Sequence, residues 1–324
     1  MIRTYSIEND RLRPSGWDVA DKNAIVWADL FNPTDDEEKL IESWLGIGVP
    51  TRAEMEEIEI SSRLYVEDGA YFMTATLPAH TDDDNPVMGP VTFVLAGHRL
   101  VTIRYHEPRA FELFPMRAEK VATGCTSGDL VLIGLLEALV DRLADVLERT
   151  GRDIELISKR IFHPPAKKAS KRDRDFQQLL KQIGRKEDLA SNLRDSLMTL
   201  QRLTGFLGHV LAQDKNGRDI RARVKTLSRD VMSLSDHVGF LSQKVTFLLE
   251  ATLGMINIEQ NAIIKIVSVA AIVFLPPTLV ASIYGMNFDV MPELKWNLGY
   301  PMAIAMMVIS AILPYLYFKR RGWL

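Results

Sequence analysis

Eighteen consecutive residues, 266–283, carry no charge. At about 1.5 Å of rise per residue they make roughly 27 Å of helix, close to the hydrocarbon thickness of a bilayer. Such a stretch predicts a membrane-spanning helix. Residues 298–318 are also uncharged and close on Lys319-Arg320-Arg321, and only fourteen residues, 284–297, separate the two runs. Together they predict a hairpin through the membrane, with a first span over 261–284, a loop over 285–297, a second span over 298–318 and a basic tail over 319–324.

The charge distribution agrees. Of 42 acidic residues only Asp289 and Glu293 lie beyond position 260, and of 39 basic residues only Lys265, Lys295, Lys319, Arg320 and Arg321 do. The first 260 residues therefore hold 34 basic and 40 acidic side chains, a net −6, which describes a water-soluble, mildly acidic domain joined to an apolar tail. Nucleic acid is a poor partner for such a surface, because binding it requires a basic footprint; a cation suits it. Residues 1–14 alternate charged and apolar side chains and lack the apolar core of a signal peptide. With the basic residues after the second span, this predicts that both termini are cytoplasmic. Cys125 is the single cysteine, which excludes an intrachain disulfide and a cysteine-based zinc site.

Before the spans two regions are expected: an α/β domain over 1–125 and a long-helix stalk over 126–260. Strands are predicted at 25–30, 64–67, 71–77, 91–95 and 100–105, with Gly69 and Gly97-His98 as hairpin breaks. Thr34 followed by four acidic residues reads as a helix start. Three helices with apolar residues stepping by three and four follow. The first runs from Leu136 to Ile161 and stops at His163-Pro164-Pro165, and the second runs from Leu179 to Leu211. The third, Ile220, Val224, Leu227, Val231, Leu234, Val238, Leu241, Val245 and Leu248, is a seam of coiled-coil type. No proline interrupts 220–275, so the third helix is expected to continue into the first span.

Within that span Asn261, Ile264, Val267 or Ser268, Ala271, Leu275, Thr278 and Ser282 recur on one face. Such a stripe either packs against another helix, since small residues allow close approach, or lines a pore built from several copies. Pro276-Pro277 removes two backbone donors and frees the carbonyls of Ile272 and Val273, which then require protein or water as partners. Gly285-Met286-Asn287 follows at the helix end, where a glycine is expected simply as a terminator.

In this setting the tripeptide resembles the signature of the CorA-type magnesium channels. The resemblance extends through Phe274-Leu275-Pro276-Pro277-Thr278, Tyr284-Gly285-Met286-Asn287-Phe288, Met291-Pro292-Glu293-Leu294-Lys295-Trp296 and Pro314-Tyr315-Leu316-Tyr317-Phe318-Lys319-Arg320, and more loosely over the whole chain, with a likeness to the enterobacterial branch. It implies a funnel-shaped homopentamer in a bacterial inner membrane, with the first span lining the pore. The stripe then becomes the pore wall, Asn261 an inner polar ring, and Ile264, Val267 and Leu275 apolar constrictions. Asn287, with Gly285 and Met286, would form a selectivity mouth holding hydrated Mg2+ by neutral carbonyl oxygens. The resemblance also implies closure by intracellular Mg2+ through carboxylates. Asp230 best matches the Asp expected at the start of the long third helix, although the stretch from it to the span is about one helical turn shorter than in members where that site is clearest, and an exposed helical Asp is the alternative. Mg2+ is thus both cargo and regulator, with Co2+ and Ni2+ as further cargo, and no covalent cofactor is implied. The acidic clusters Asp82-Asp83-Asp84 and Glu54, Glu56, Glu57, Glu59 read as solvated faces.

No nucleotide-binding glycine loop occurs, and the six histidines show no paired ligand spacing. An enzyme is therefore not expected. Two other readings stand beside Mg2+ transport: a Zn2+, Co2+ or Ni2+ transporter of the same fold, and a membrane-anchored sensor whose coiled coil transmits a signal. The Met291-Pro292-Glu293-Leu294 continuation favours magnesium within the resemblance, and the sensor reading lacks an output domain.

Overall fold

The computed structural model describes residues 1–17, 22–82, 86–121, 124–163, 169–212, 218–286, 291–292 and 296–322. Two compact units emerge, Met1–Lys168 with Gln177–Leu249, and Ala169–Phe176 with Glu250–Leu324.

The first unit is built on a seven-stranded sheet. β1 (Ile2–Glu8), β2 (Arg11–Ser15) and β3 (Ile25–Phe31) form one antiparallel half, and β4 (Leu64–Glu67), β5 (Ala70–Ala79), β6 (Val87–Ala96) and β7 (Arg99–Arg104) form the other. The order is β2-β1-β3-β7-β6-β5-β4, and the halves meet through the parallel pairing of β3 with β7, which places Asp29 opposite Thr102 and Phe31 opposite Arg104. All five predicted strands are present. β1 and β2 were not anticipated, although residues 2–8 alternate as a strand should. Asn9 and Asp10 between them both adopt positive φ, 50° and 57°, as a two-residue turn joining twisted strands requires.

α3 (Ile60–Arg63) is a single turn that leads directly into β4. Both faces of the sheet are covered. On one, α1 (Asp35–Leu45) and α2 (Arg52–Glu56) bring Ile41 and Met55 against Ala28, Leu30, Phe72, Val94, Val101 and Ile103. The expected start of α1 is a capping box: the Thr34 side chain accepts from the Glu37 backbone, while the Glu37 carboxylate accepts from the Thr34 N–H at 3.0 Å. Glu54 caps α2 from Thr51 in the same way, and Glu56 pairs with Arg52, so two of the four glutamates read as a solvated face hold this helix. On the other face, α4 (Ala110–Lys120) packs Phe111 and Phe114 on Trp27, with centroids 6.4 and 6.0 Å away. α5 (Gly128–Phe162) begins where the Gly128 N–H bonds the His98 carbonyl at 2.7 Å. A Cβ at Gly128 would lie 2.6 Å from that carbonyl oxygen, so only glycine permits the approach.

Between these layers lies a charged core. Arg104 donates from Nε to Asp29 Oδ1 at 3.0 Å and from Nη2 to Oδ2 at 2.8 Å, and its Nη1 bonds the His106 carbonyl at 3.0 Å. The two side chains are 0% and 2% exposed. Trp27 Nε1 donates to Thr102 Oγ1, and the Thr102 hydroxyl donates to Asp29 Oδ1 at 2.8 Å. The guanidinium lies 4.6 and 4.8 Å from the ring centroids of Phe31 and Phe111. The bidentate geometry offsets the desolvation of two full charges, and each lone partner would be an uncompensated buried ion.

α5 then packs with α6 (Ala169–Ala212) from Gln177 onward and with α7 (Arg218–Tyr284) up to Leu249. All eight predicted core positions of α5 from Leu136 to Ile161 are buried, as are Leu193, Leu197 and Leu200 on α6 and Val224, Val231, Val238, Val245 and Leu248 on α7. Ion pairs at the rim join the helices: Arg223 to Glu137 bidentately at 2.9 and 2.7 Å, Lys244 to Glu155 at 2.7 Å, and Lys186 to Asp153 at 2.6 Å.

The buried pair yields a sharp expectation. Asp29→Ala alone should lower stability by about 3–5 kcal/mol, whereas Asp29→Leu combined with Arg104→Met should cost far less than either single change. Denaturant unfolding of the detergent-solubilised protein, followed by tryptophan fluorescence, measures both; additive losses would deny the coupling.

Candidate ion pathway

In the second unit α7 carries the first apolar run, and α8 (Gly299–Arg320) carries the other. A core helix of a soluble protein buries such a run, but only 6% of the most apolar eighteen-residue window of either helix is buried. This is the surface of a helix made for lipid or for other helices.

The exposure is not uniform around α7. Val269 is buried, and Val273, Pro276, Pro277, Val280 and Tyr284 are half-buried, marking one side of the helix; Gly299 and Ala303 are the buried residues of α8. At about 100° per residue the predicted stripe falls on the opposite side. Asn261, Ile264, Val267, Ala271, Leu275, Thr278 and Ser282 are all exposed, with Ile264, Val267 and Leu275 at 61, 63 and 66%. Ser268 is half-buried, so of the two alternatives at that step Val267 lies on the open side.

α7 continues as a helix through Pro276 and Pro277. Neither proline can donate to Ile272 or Val273. One residue further on, the Thr278 hydroxyl donates to the Phe274 carbonyl at 2.7 Å. At the end of the helix the Gly285 N–H still bonds Ala281 O at 3.0 Å, and Met286 N–H bonds Ile283 O at 3.3 Å. Gly285 does not take the left-handed φ of a terminating glycine. What a side chain would meet there is the Ala281 carbonyl oxygen, 3.1 Å from a Cβ. Gly285 and Met286 are exposed, and Asn287 lies outside the described residues.

Asp230 is exposed in the fourth turn of α7, since the helix begins at Arg218 rather than just before Asp230. Its charge acts on Asp141 of α5. Partial burial, opposed by Arg117 and reinforced by Glu137, Asp145 and Asp230, pushes the Asp141 carboxyl above its usual range. Sequence reading missed Asp141, although Glu137, Asp141 and Asp145 recur at four-residue spacing on one helical face. Among the described residues no three His, Cys, Asp or Glu side chains gather closely enough to hold a metal ion.

Asp82 departs from the solvated-face expectation. Arg149, Arg142 and Arg109 all bond its carboxylate, and the hydrogen bond from Arg149, followed by that from Arg142, holds its pKa down to about 2. Asp83 and Asp84 lie outside the described residues.

A seven-stranded α/β unit followed by three long helices, the last of which carries the first of two apolar runs, defines a class of proteins with two helices long and apolar enough to cross a membrane. The sequence profile described as "CorA-like Mg2+ transporter protein" matches residues 22–320. The chain is 38% identical over its full length and the relative's to the magnesium transport protein CorA of Haemophilus influenzae, and equally, over both full lengths, to that of Escherichia coli. The complete structure of the CorA magnesium transporter from Methanocaldococcus jannaschii superposes with a TM-score of 0.79, covering 100% of this chain and 99% of that one at 18% identity. The chain belongs to the CorA-like Mg2+ transporter family.

A folded carboxyl with a raised pKa binds its proton more readily than the unfolded one, so its ionised form costs stability above the folded pKa and costs nothing below the unfolded value near 3.8. Asp141→Asn should therefore raise the melting temperature at pH 7, and the gain should vanish below pH 4. Melting curves at both pH values check this.

Proposed function

We infer that the chain forms a channel that admits Mg2+ down the membrane potential, with the exposed face of α7 as the pore wall of a homopentamer. One observation carries this reading: the stripe from Asn261 to Ser282 lies opposite the half-buried side of the same helix. A face that is small and partly polar at Ala271, Thr278 and Ser282 is ill-suited to lipid alone. Facing copies of itself around an axis, it would supply hydroxyls near the outer end and apolar rings at Leu275, Val267 and Ile264, where dewetting can block ions. Names of full-length relatives at 38% identity support Mg2+ as the cargo. Co2+ and Ni2+ fit the same oxygen ligands.

Lys319, Arg320 and Arg321 after the second span support a cytoplasmic location for both termini. The family is one of transporters, and no catalytic step is needed. A divalent ion moving down about 150 mV releases roughly 7 kcal/mol, some five decades of concentration, without ATP. At the outer mouth, side-chain carbonyls of Asn287 would hold the hydrated ion by its water shell. Neutral oxygens bind weakly enough for release.

Closure by intracellular Mg2+ is assigned to carboxylates that include Asp230. The negative charges of Glu137, Asp145 and Asp230, which add to burial in raising the Asp141 carboxyl, support this, since a divalent cation nearby would offset them. With no sufficient cluster among the described residues of one chain, a neighbouring subunit would complete the site.

Asn287→Ala should abolish Mg2+ uptake into proteoliposomes while the complex keeps a pentameric mass in detergent, and Asn287→Asp should bind cations more strongly and pass fewer. Uptake by Asn287→Ala at the parental rate, or a monomeric mass for the parent, would remove the channel reading. Separately, millimolar Mg2+ should raise protease resistance of the α/β unit, and Asp230→Ala should blunt the rise. An unchanged rise would take Asp230 out of the regulatory site.

A further inference from the structure

Between the last turns of α6 and the first turns of α7, within the first unit, lies a trough of about 430 Å3. Arg221, Lys225 and Arg229 line its α7 side, and no carboxylate lines it among the described residues. Their four-residue spacing puts the three cations on one face of the helix, over about 12 Å of rise. The acids nearest them on α7, Asp219 and Asp230, lie about 160° and 100° around the helix from Arg221 and Arg229, and Asp230 acts on Asp141 of α5 instead. The ion pairs of α7 run from Arg223 to Glu137 and from Lys244 to Glu155, whereas Lys225 and Arg229 pair with no carboxylate among the described residues. The α6 side of the trough holds two glycines, Gly205 and Gly208, one turn apart. Packing requires neither. A Cβ at Gly205 would meet nothing within 4 Å, and one at Gly208 only Val224 Cγ1 at 3.8 Å, an ordinary contact. Glycine inside a helix is unfavourable relative to alanine, and what it leaves here is open space facing a row of cations.

We propose that this trough binds a soluble polyphosphate anion, its phosphate chain lying along Arg221, Lys225 and Arg229. Charge selects an anion, and the length of the row selects its kind: one phosphate group cannot meet cations spread over about 12 Å of helix, whereas a chain of them can. Guanidinium groups bind phosphate oxygens bidentately, and the lysine between them adds a point charge. Ser228, half-buried in the lining, contributes a hydroxyl donor. The two glycines let the ligand lie close against α6. Nucleic acid is a poorer occupant, because three cations make a short footprint on a domain that carries −6 over its first 260 residues.

Titration of inorganic tripolyphosphate into the full-length, detergent-solubilised protein tests this. Binding should be saturable, should weaken at high salt, and should weaken by about tenfold or more in the combined variant Arg221→Gln, Lys225→Gln, Arg229→Gln. Gly205→Leu fills the floor of the trough, removes no charge and favours the helix, so it should weaken binding comparably while the melting curve shows an intact fold. ATP carries the same phosphate chain and should compete with tripolyphosphate. Failure of the parent to bind tripolyphosphate would overturn the proposal. Undiminished binding to Gly205→Leu would do the same, since the anion would then sit elsewhere on the surface, and this variant decides the matter alone should the triple variant fail to fold. Binding of ATP but not of tripolyphosphate would assign recognition to the nucleoside and deny the cationic row its role.

Discussion

The sheet depends on one junction. Its two antiparallel halves are joined by the parallel pairing of β3 and β7, and buried at that seam are Asp29 and Arg104, two full charges with almost no exposure. Parallel pairing is somewhat weaker per residue than antiparallel, so the side-chain network of Trp27, Thr102, Asp29 and Arg104 adds specificity where the ladder alone has least. A slip of one residue would move Asp29 to the opposite face and leave Arg104 without its counter-ion. The same network positions Trp27 against Phe111 and Phe114, and so fixes α4; α5, which starts against the backbone of β7 at Gly128, is aimed from there.

Local signals foretold local structure. The apolar steps of α5, α6 and α7 could be read because each is a repeat within one segment, and the buried positions fall on them almost residue for residue. β1 and β2 escaped notice because their strand pattern is mixed with charges, and because the Asn9-Asp10 turn lacks a glycine. Long-range polar contacts were illegible for a different reason. Nothing in the neighbourhood of Asp82 announces that Arg109, Arg142 and Arg149, between 27 and 67 positions away, converge on it. The Asp29–Arg104 pair, 75 residues apart, is hidden in the same way.

The candidate pathway was partly legible. Periodicity alone identified a stripe and left its meaning open between helix packing and pore; the structure adds which side of α7 is half-buried, and thereby separates Val267 from Ser268. Helix phase was available from sequence, but neighbours were not. Asn287 owes its place to family resemblance, because a single amide after a helix end carries no periodic signal. Gly285, two residues before it, does stand where the helix ends, after Tyr284, but without a left-handed φ, and a Cβ there would sit 3.1 Å from the Ala281 carbonyl oxygen.

α7 runs without a break from Arg218 to Tyr284, and this makes chain length a phase-locked quantity. Inserting one residue between Leu248 and Ile264 would rotate everything beyond it by about 100° and advance it by about 1.5 Å. On a continuous helix the positions of the seam up to Leu248 and those of the stripe from Asn261 would then lose their fixed difference in phase. Lengthening or shortening by three or four residues shifts the phase by only about 60° or 40°, and by seven about 20°. Homologues should therefore differ in this segment by whole turns, as if by the teeth of a gear, and point insertions there should be purged even where every side chain involved is exposed.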